Sequence, residues 1–290
     1  MPIQPGDSQP VRFPAFRSYL AAREMINDEL MALVVGAGIA AEALVSAPDE
    51  TLLPELRPDV PDVQRMNQPI ADVRALWGRA SPTIARTAIP YILSVYGVFL
   101  ADAVGLLHEV GLDADQHEPD DTYVSKLHDR LAAATGVELP TRDLALYEVI
   151  RVVRNRLVHQ AGTPGSKLRS LWSRLSPDAK TEWIRVAGRP LTESIVAPQT
   201  PLDLGLGELH ATLAVTHRLA HRVSAGLIVS VAPEVWADIL VADYQELWPR
   251  RYGNRTQRLR RLKGYARHSY GALNLTDLSI EEAIRRVDVL

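Results

Sequence analysis

TRDLALYEVIRVVRNRLVHQAG, Thr141 to Gly162, decides how this chain is read. Leu146, Val149, Ile150, Val153 and Leu157 fall at i, i+3, i+4, i+7 and i+11, the stripe of a helix packed on a core. Leu144, Tyr147, Val152 and Val158 lie outside the stripe, so the helix is apolar on several sides and belongs at the centre of a bundle. Thr141 is expected to cap it, Asp143 sits where the helix dipole favours a negative charge, and Gly162 stops it. Yet the same helix carries Arg154, Asn155, Arg156 and His159. Burying such groups costs several kcal/mol unless each has a partner or a task.

Outward from this stretch the periodicity stays helical. Residues 14–47 read as one long helix or a broken pair, weak at Gly36 and Gly38. Residues 48–69 hold five prolines and read as an extended connector. Ser81-Pro82 is expected to open a helix to about His108, kinked at Pro90. Gly111 to Asp121 reads as an acidic loop, and Asp121 or Thr122 as the cap of a helix ending at Gly136. Ser176-Pro177 starts a short helix, 190–203 is a proline-marked loop, and 204–232 a long apolar helix. Pro233 begins a C-terminal appendix whose last helix carries a capping box at Ser279 and Glu282. No period-2 alternation is visible. The expected class is all-α, in three segments: an N-terminal extension with its connector (1–80), a helical bundle (81–232) and a basic helical appendix (233–290).

Composition narrows the setting. The 290 residues are 47% hydrophobic and contain no cysteine. A sizeable core is therefore affordable, disulfides and thiolate metal sites are excluded, and a reducing cytoplasm is the expected compartment. Met1 to Pro10 lacks the basic and apolar regions of a secretory signal. Leu30–Ala47 and Ala88–Leu107 are apolar runs interrupted by Glu42 and Asp102. A charge near mid-span costs roughly 2.5–3.5 kcal/mol in a bilayer, so both read as core helices and no membrane is expected.

Val34 to Ala41 matches G-x-G-x-x-A, but helical periodicity precedes it and no strand–helix–strand unit follows. The expected meaning is close helix packing by small residues, not dinucleotide binding, and no cofactor is expected. His210, His217 and His221 share one helix face at i, i+7 and i+11. Without a third ligand nearby they read as a polar face, and no metal site is expected. The acidic loop from Asp113 to Asp121 lacks the central glycine of an EF-hand and reads as solvated.

Net charge is −3, unevenly spread. Residues 249–276 hold Arg250, Arg251, Arg255, Arg258, Arg260, Arg261, Lys263 and Arg267 with no acidic residue, interleaved with Tyr252, Tyr265 and Tyr270. Such cations contact phosphates and such rings stack on unpaired bases, which makes this segment a candidate nucleic-acid-binding surface. The alternative is a solvated face docked on the acidic remainder of the chain.

Arg154 and His159 together suit metal-free cleavage of RNA. Histidine titrates near neutral pH and moves a proton; arginine offers a permanent fork to phosphate oxygens; asparagine orients either. On a straight helix Arg154 and His159 project about 140° apart. Convergence needs a distorted last turn, a long reach by Arg154, or a second subunit. The structural alternative pairs Arg154 with Asp102 or Glu148 and bonds His159 to helix-end carbonyls.

Arg-Asn-Arg-Leu-Val-His (154–159), closing a central bundle helix before a glycine, resembles the R-x4–6-H signature of HEPN domains. The resemblance spans 81–232 as helical architecture. It implies a four- or five-helix bundle, usually a homodimer, with a metal-independent endoribonuclease site at the dimer interface. Arg154 and His159 would be catalytic and Asn155 supporting, RNA would be the substrate, and an antitoxin or other phage-defence partner would be expected. The extensions depart from small HEPN toxins. Two other readings stand beside it: a non-catalytic helical dimerisation or interaction module, and a DNA-binding regulator using the appendix. Gly264 counts against the last.

Overall fold

Thirteen helices follow one another among the residues that the computed structural model describes, 11–113, 124–195, 200–249 and 255–287. They are α1 (Pro14–Ala43), α2 (Leu53–Leu56), α3 (Ile70–Gly78), α4 (Ala80–Glu109), α5 (Val124–Thr135), α6 (Thr141–His159), α7 (Ser166–Arg174), α8 (Pro177–Ala187), α9 (Leu191–Ser194), α10 (Leu206–Ser230), α11 (Pro233–Leu247), α12 (Arg255–Ser269) and α13 (Asp277–Val287). The described residues contain no strand, only an isolated bridge between Leu52 and Pro69. The class is all-α.

The chain divides into two compact units. One comprises 1–22, 94–144 and 215–290; the other 23–93 and 145–214. Helices α1, α4, α6 and α10 contribute residues to both. The segments 1–80, 81–232 and 233–290 mark composition along the chain, and each unit draws on more than one of them.

In the first unit the core is aromatic. Phe16 lies 5.6 Å from Phe99, Tyr19 5.2 Å from Phe99, and Phe13 5.4 Å from Trp236, measured between ring centres. Such pairs add about 0.5–1.5 kcal/mol each beyond the area they bury. His128 is buried beside them, its Nε2 2.7 Å from the Tyr96 hydroxyl. Burial disfavours its charged form and lowers its pKa to about 4. Asp143 is 2% exposed and receives a forked bond from Arg218, at 2.7 and 3.1 Å. Thr141 is thus the first residue of α6 and not its cap; Leu144 N–H bonds the Pro140 carbonyl instead.

In the second unit Ile89, Ile150, Val153, Trp183, Leu191 and Leu204 surround Glu208 and Thr212. Trp172 meets Trp183 edge-on at 5.9 Å. Glu208 is 1% exposed; it accepts a 2.9 Å bond from Arg189 and a 2.7 Å bond from the Gly205 N–H, which fixes the start of α10. A Cβ at Gly207 would strike the Ala187 carbonyl, so only glycine lets α10 start this close to the end of α8.

Several expectations change. Ser81 and Pro82 lie inside the first turn of α4, which starts at Ala80. Ser176 does cap α8, accepting from Ala179 N–H at 3.2 Å. In α13 the cap is Thr276, whose hydroxyl accepts from Ser279 N–H at 3.1 Å, so the helix starts two residues before Ser279. The caps at Asp121 or Thr122 lie outside the described residues.

The two apolar runs differ. Helix α4 is long and apolar enough to cross a membrane, yet buries Ile89, Ile92, Tyr96, Phe99, Leu100 and Ala103 at helical spacing. Leu30–Ala47 does not read as a core helix any longer: no residue from Asn27 to Ala43 is buried, and Leu33, Val35 and Ile39 are 58–63% exposed. A helix apolar all round has more greasy faces than one unit covers. Nor do Gly36 and Gly38 serve close packing, since nothing lies within 4 Å of a Cβ built on either.

Candidate functional site

Helix α6 leaves the core as it nears its end. Leu146, Val149, Ile150, Val152 and Val153 are buried, residues 154–157 are half-buried, and 158–161 are exposed. The polar groups therefore sit where the helix emerges into water. Arg154 donates to the Asn155 Oδ1 at 3.2 Å and forms no ion pair. Asp102 is exposed, and Glu148 is taken by Arg151 at 2.7 Å and by Lys167 at 3.9 Å. Neither carboxylate pairs with Arg154, which corrects the structural alternative. His159 bonds no helix-end carbonyl, nor any other described residue.

The helix end has its own closure. Ala161 and Gly162 both take positive φ, +49° and +79°. The Gln160 and Gly162 N–H groups share the Arg156 carbonyl, at 3.0 and 2.9 Å. Gly162 is buried and its carbonyl accepts from Leu202 N–H at 2.9 Å. The Arg156 guanidinium lies over Gly165, on the space a Cβ there would take, and would have to swing aside for one.

Because α6 stays helical through His159, the distortion comes too late to swing the histidine round. At about 100° per residue, His159 shares a face with Asn155, while Arg154 shares one with Arg151 and Val158. On one helix Arg154 and His159 leave the axis about 140° apart, and the Arg154 guanidinium reaches round to Asn155, on the His159 side. Tyr147 lies one turn before Arg151; burial raises its pKa, against the opposing pull of Arg151 and Arg154.

The basic segment is only partly a surface. Arg250 and Arg251 lie outside the described residues, as does the side chain of Arg255. Arg258, Arg260, Arg261, Lys263 and Arg267 all stand on α12. Arg260, Arg261 and Arg267 are exposed. Tyr252 lies outside the described residues, and the other two tyrosines are not free stacking platforms. Tyr265 and Tyr270 donate to the Asp243 carboxylate at 2.6 and 2.7 Å, and Arg17 clamps the same group at 2.6 and 2.8 Å. Asp243 is 2% exposed. Neither Asp243 nor Arg17 stood out in the sequence, because 226 residues separate them.

Of the three histidines on one face of α10, His210 is exposed, while His217 and His221 are half-buried and meet edge to face at 4.3 Å, with Phe16 against His221 at 5.2 Å. Among the described residues, no three His, Asp or Glu side chains are grouped to hold a metal. Of the acidic loop only Asp113 is described, and it pairs with the buried Arg130. Set against protein-family models, curated proteins and solved structures, the chain matches none.

Proposed function

We propose that this chain is a HEPN-like, metal-independent endoribonuclease that works as a homodimer, with Arg154 of one protomer and His159 of the other at a shared site. The observation that carries the reading is the end of α6. Three groups suited to phosphodiester chemistry stand there, and the fold consumes none of them: His159 is exposed, and Arg154 is tied only to its neighbour Asn155. The two side chains leave one helix about 140° apart, which supports placing the pair across two protomers, while Arg154 leans on Asn155 within its own.

The chemistry needs no redox step. A base removes the proton of the RNA 2′-hydroxyl, whose oxygen bonds to phosphorus. The P–O5′ bond breaks, and the departing oxygen takes a proton. His159 holds or delivers one of these protons. Arg154 stabilises the charge on the phosphorane, with Asn155 orienting its fork. The products carry a 2′,3′-cyclic phosphate and a 5′-hydroxyl.

The test is cleavage of single-stranded RNA in EDTA by mixed variants. Arg154→Ala and His159→Ala are expected to be inactive alone. After protomer exchange at equal amounts, half of the dimers are mixed and each keeps one intact pair, so about a quarter of the activity returns. No recovery rejects the two-chain site, and cleavage that requires Mg²⁺ rejects the mechanism.

The interaction-module reading has one observation of its own. Val35 and Ile39, one turn apart, are exposed on one face of α1. Contiguous patches of this kind mark association surfaces. If α1 associates, Val35→Glu with Ile39→Glu should lower the solution mass measured by light scattering. An unchanged mass removes the argument.

A further inference from the structure

Helices α12 and α13 enclose a groove of about 530 Å³, a volume typical of small-ligand sites. Its α12 wall carries Arg260, Lys263 and Arg267, at i, i+3 and i+7 on one face. Asp277 lies on the α13 wall, and Leu259 and Leu275 are half-buried within the lining. The segment's other cations, Arg258 and Arg261, do not line it.

The charges inside the groove are unequal. Lys263 is bound by Asp277 at 2.9 Å and Glu281 at 3.2 Å, which raises its pKa. Arg260 and Arg267 are exposed and have no partner among the described residues. They stand seven residues apart, about 10.5 Å along the axis. That separation is too long for one phosphate and suits two phosphates of one strand.

We infer that this groove seats single-stranded RNA, with Arg260 and Arg267 forking two non-adjacent phosphates of one strand and Leu259 and Leu275 backing a sugar or base between them. Guanidinium matches phosphate oxygens two bonds at a time. An apolar lining has no use for the bare carboxylates of an acidic peptide but shelters a nucleoside. Asp277 opposes the strand, because its charge repels phosphate and it occupies Lys263. The inference rests on the RNA reading for its ligand, though not on cleavage.

The experiment uses the full chain carrying His159→Ala, so that binding is read without cleavage. The probe is a fluorescein-labelled 12-nucleotide RNA followed by anisotropy across a salt series. Arg260→Ala with Arg267→Ala is expected to weaken binding at least tenfold. It should also flatten the log K against log salt slope by about 1.4, the value for two phosphate contacts to a single strand. Arg261→Ala, outside the groove, should change binding less than twofold. Asp277→Asn should tighten it. Equal loss on Arg261→Ala, no loss in the double variant, or weaker binding by Asp277→Asn overturns the assignment. So does competition by poly-glutamate equal to that of unlabelled RNA at matched charge. A chain that binds this way but never cleaves refutes the nuclease and leaves the groove; one that cleaves with the groove disabled does the reverse.

Discussion

His159→Ala is expected to reduce RNA cleavage by about 10²- to 10⁴-fold, the span that a positioned proton carrier contributes. The thermal midpoint should move by no more than a few degrees. His159 is exposed and bonded to no described residue, so its removal opens no cavity and strands no buried partner. Surface changes of this type stay within about 0.5 kcal/mol. The contrast is what makes the result informative. A histidine that served the fold would take stability with it; one that serves the reaction leaves the fold alone. The measurement pairs gel-resolved cleavage, reading cyclic-phosphate ends, with calorimetry. Undiminished cleavage, or a midpoint that collapses in step with activity, sinks the assignment.

Asp243→Ala is expected to cost about 3–5 kcal/mol of folding stability, the loss found when one member of a buried ion pair is removed. The carboxylate lies at the meeting point of Arg17, Tyr265 and Tyr270, and its loss removes the acceptor they share, leaving Arg17 only the Arg12 carbonyl at 3.2 Å and the Tyr265 hydroxyl at 2.8 Å. Burial alone would raise the Asp243 pKa, but the bonds from Arg17 and the two hydroxyls outweigh it, and the net shift is downward. Its contribution is therefore present above the unfolded value, about 3.9, and is lost as pH falls through the lower folded value.

His128 acts earlier in the same titration. Its folded pKa, about 4, is below the unfolded 6.5, so between those values the unfolded chain takes up a proton that the folded chain refuses. That drains roughly 3 kcal/mol as pH drops across the window. Urea unfolding of the parent and Asp243→Ala at pH 7, 5 and 3 checks both. The gap between the proteins should persist from pH 7 to 5 and narrow by pH 3. A variant as stable as its parent at pH 7 would show that the carboxylate is dispensable.

Local rules made much of this molecule legible. The long helices α1, α4, α6 and α10 announce themselves by period and by their glycine and proline borders. Ser176-Pro177 opens α8 as its chemistry requires. Short elements were harder: α3 follows a proline-rich stretch that masks it, and α7 buries only Leu168 and Trp172. Apolar content also says nothing about which faces find cover, which is why Leu33, Val35 and Ile39 are exposed while Leu44 is buried. At the candidate site, Arg154, Asn155 and His159 are readable as a local pattern. The reach of Arg154 onto Asn155 is a side-chain choice that helical angles do not fix, and the pairing of Tyr265 and Tyr270 with Asp243 and Arg17 depends on contacts between residues far apart in the chain.

The distal half of α1 has a thermodynamic consequence. Gly36 and Gly38 each cost the helix about 1 kcal/mol relative to alanine, and no neighbour packs on either to compensate. Little tertiary burial holds the stretch from Asn27 to Ala43. Its backbone amides therefore open to solvent at a fraction of the global unfolding cost, giving the protein a segment that can unwind and refold while the rest stays native.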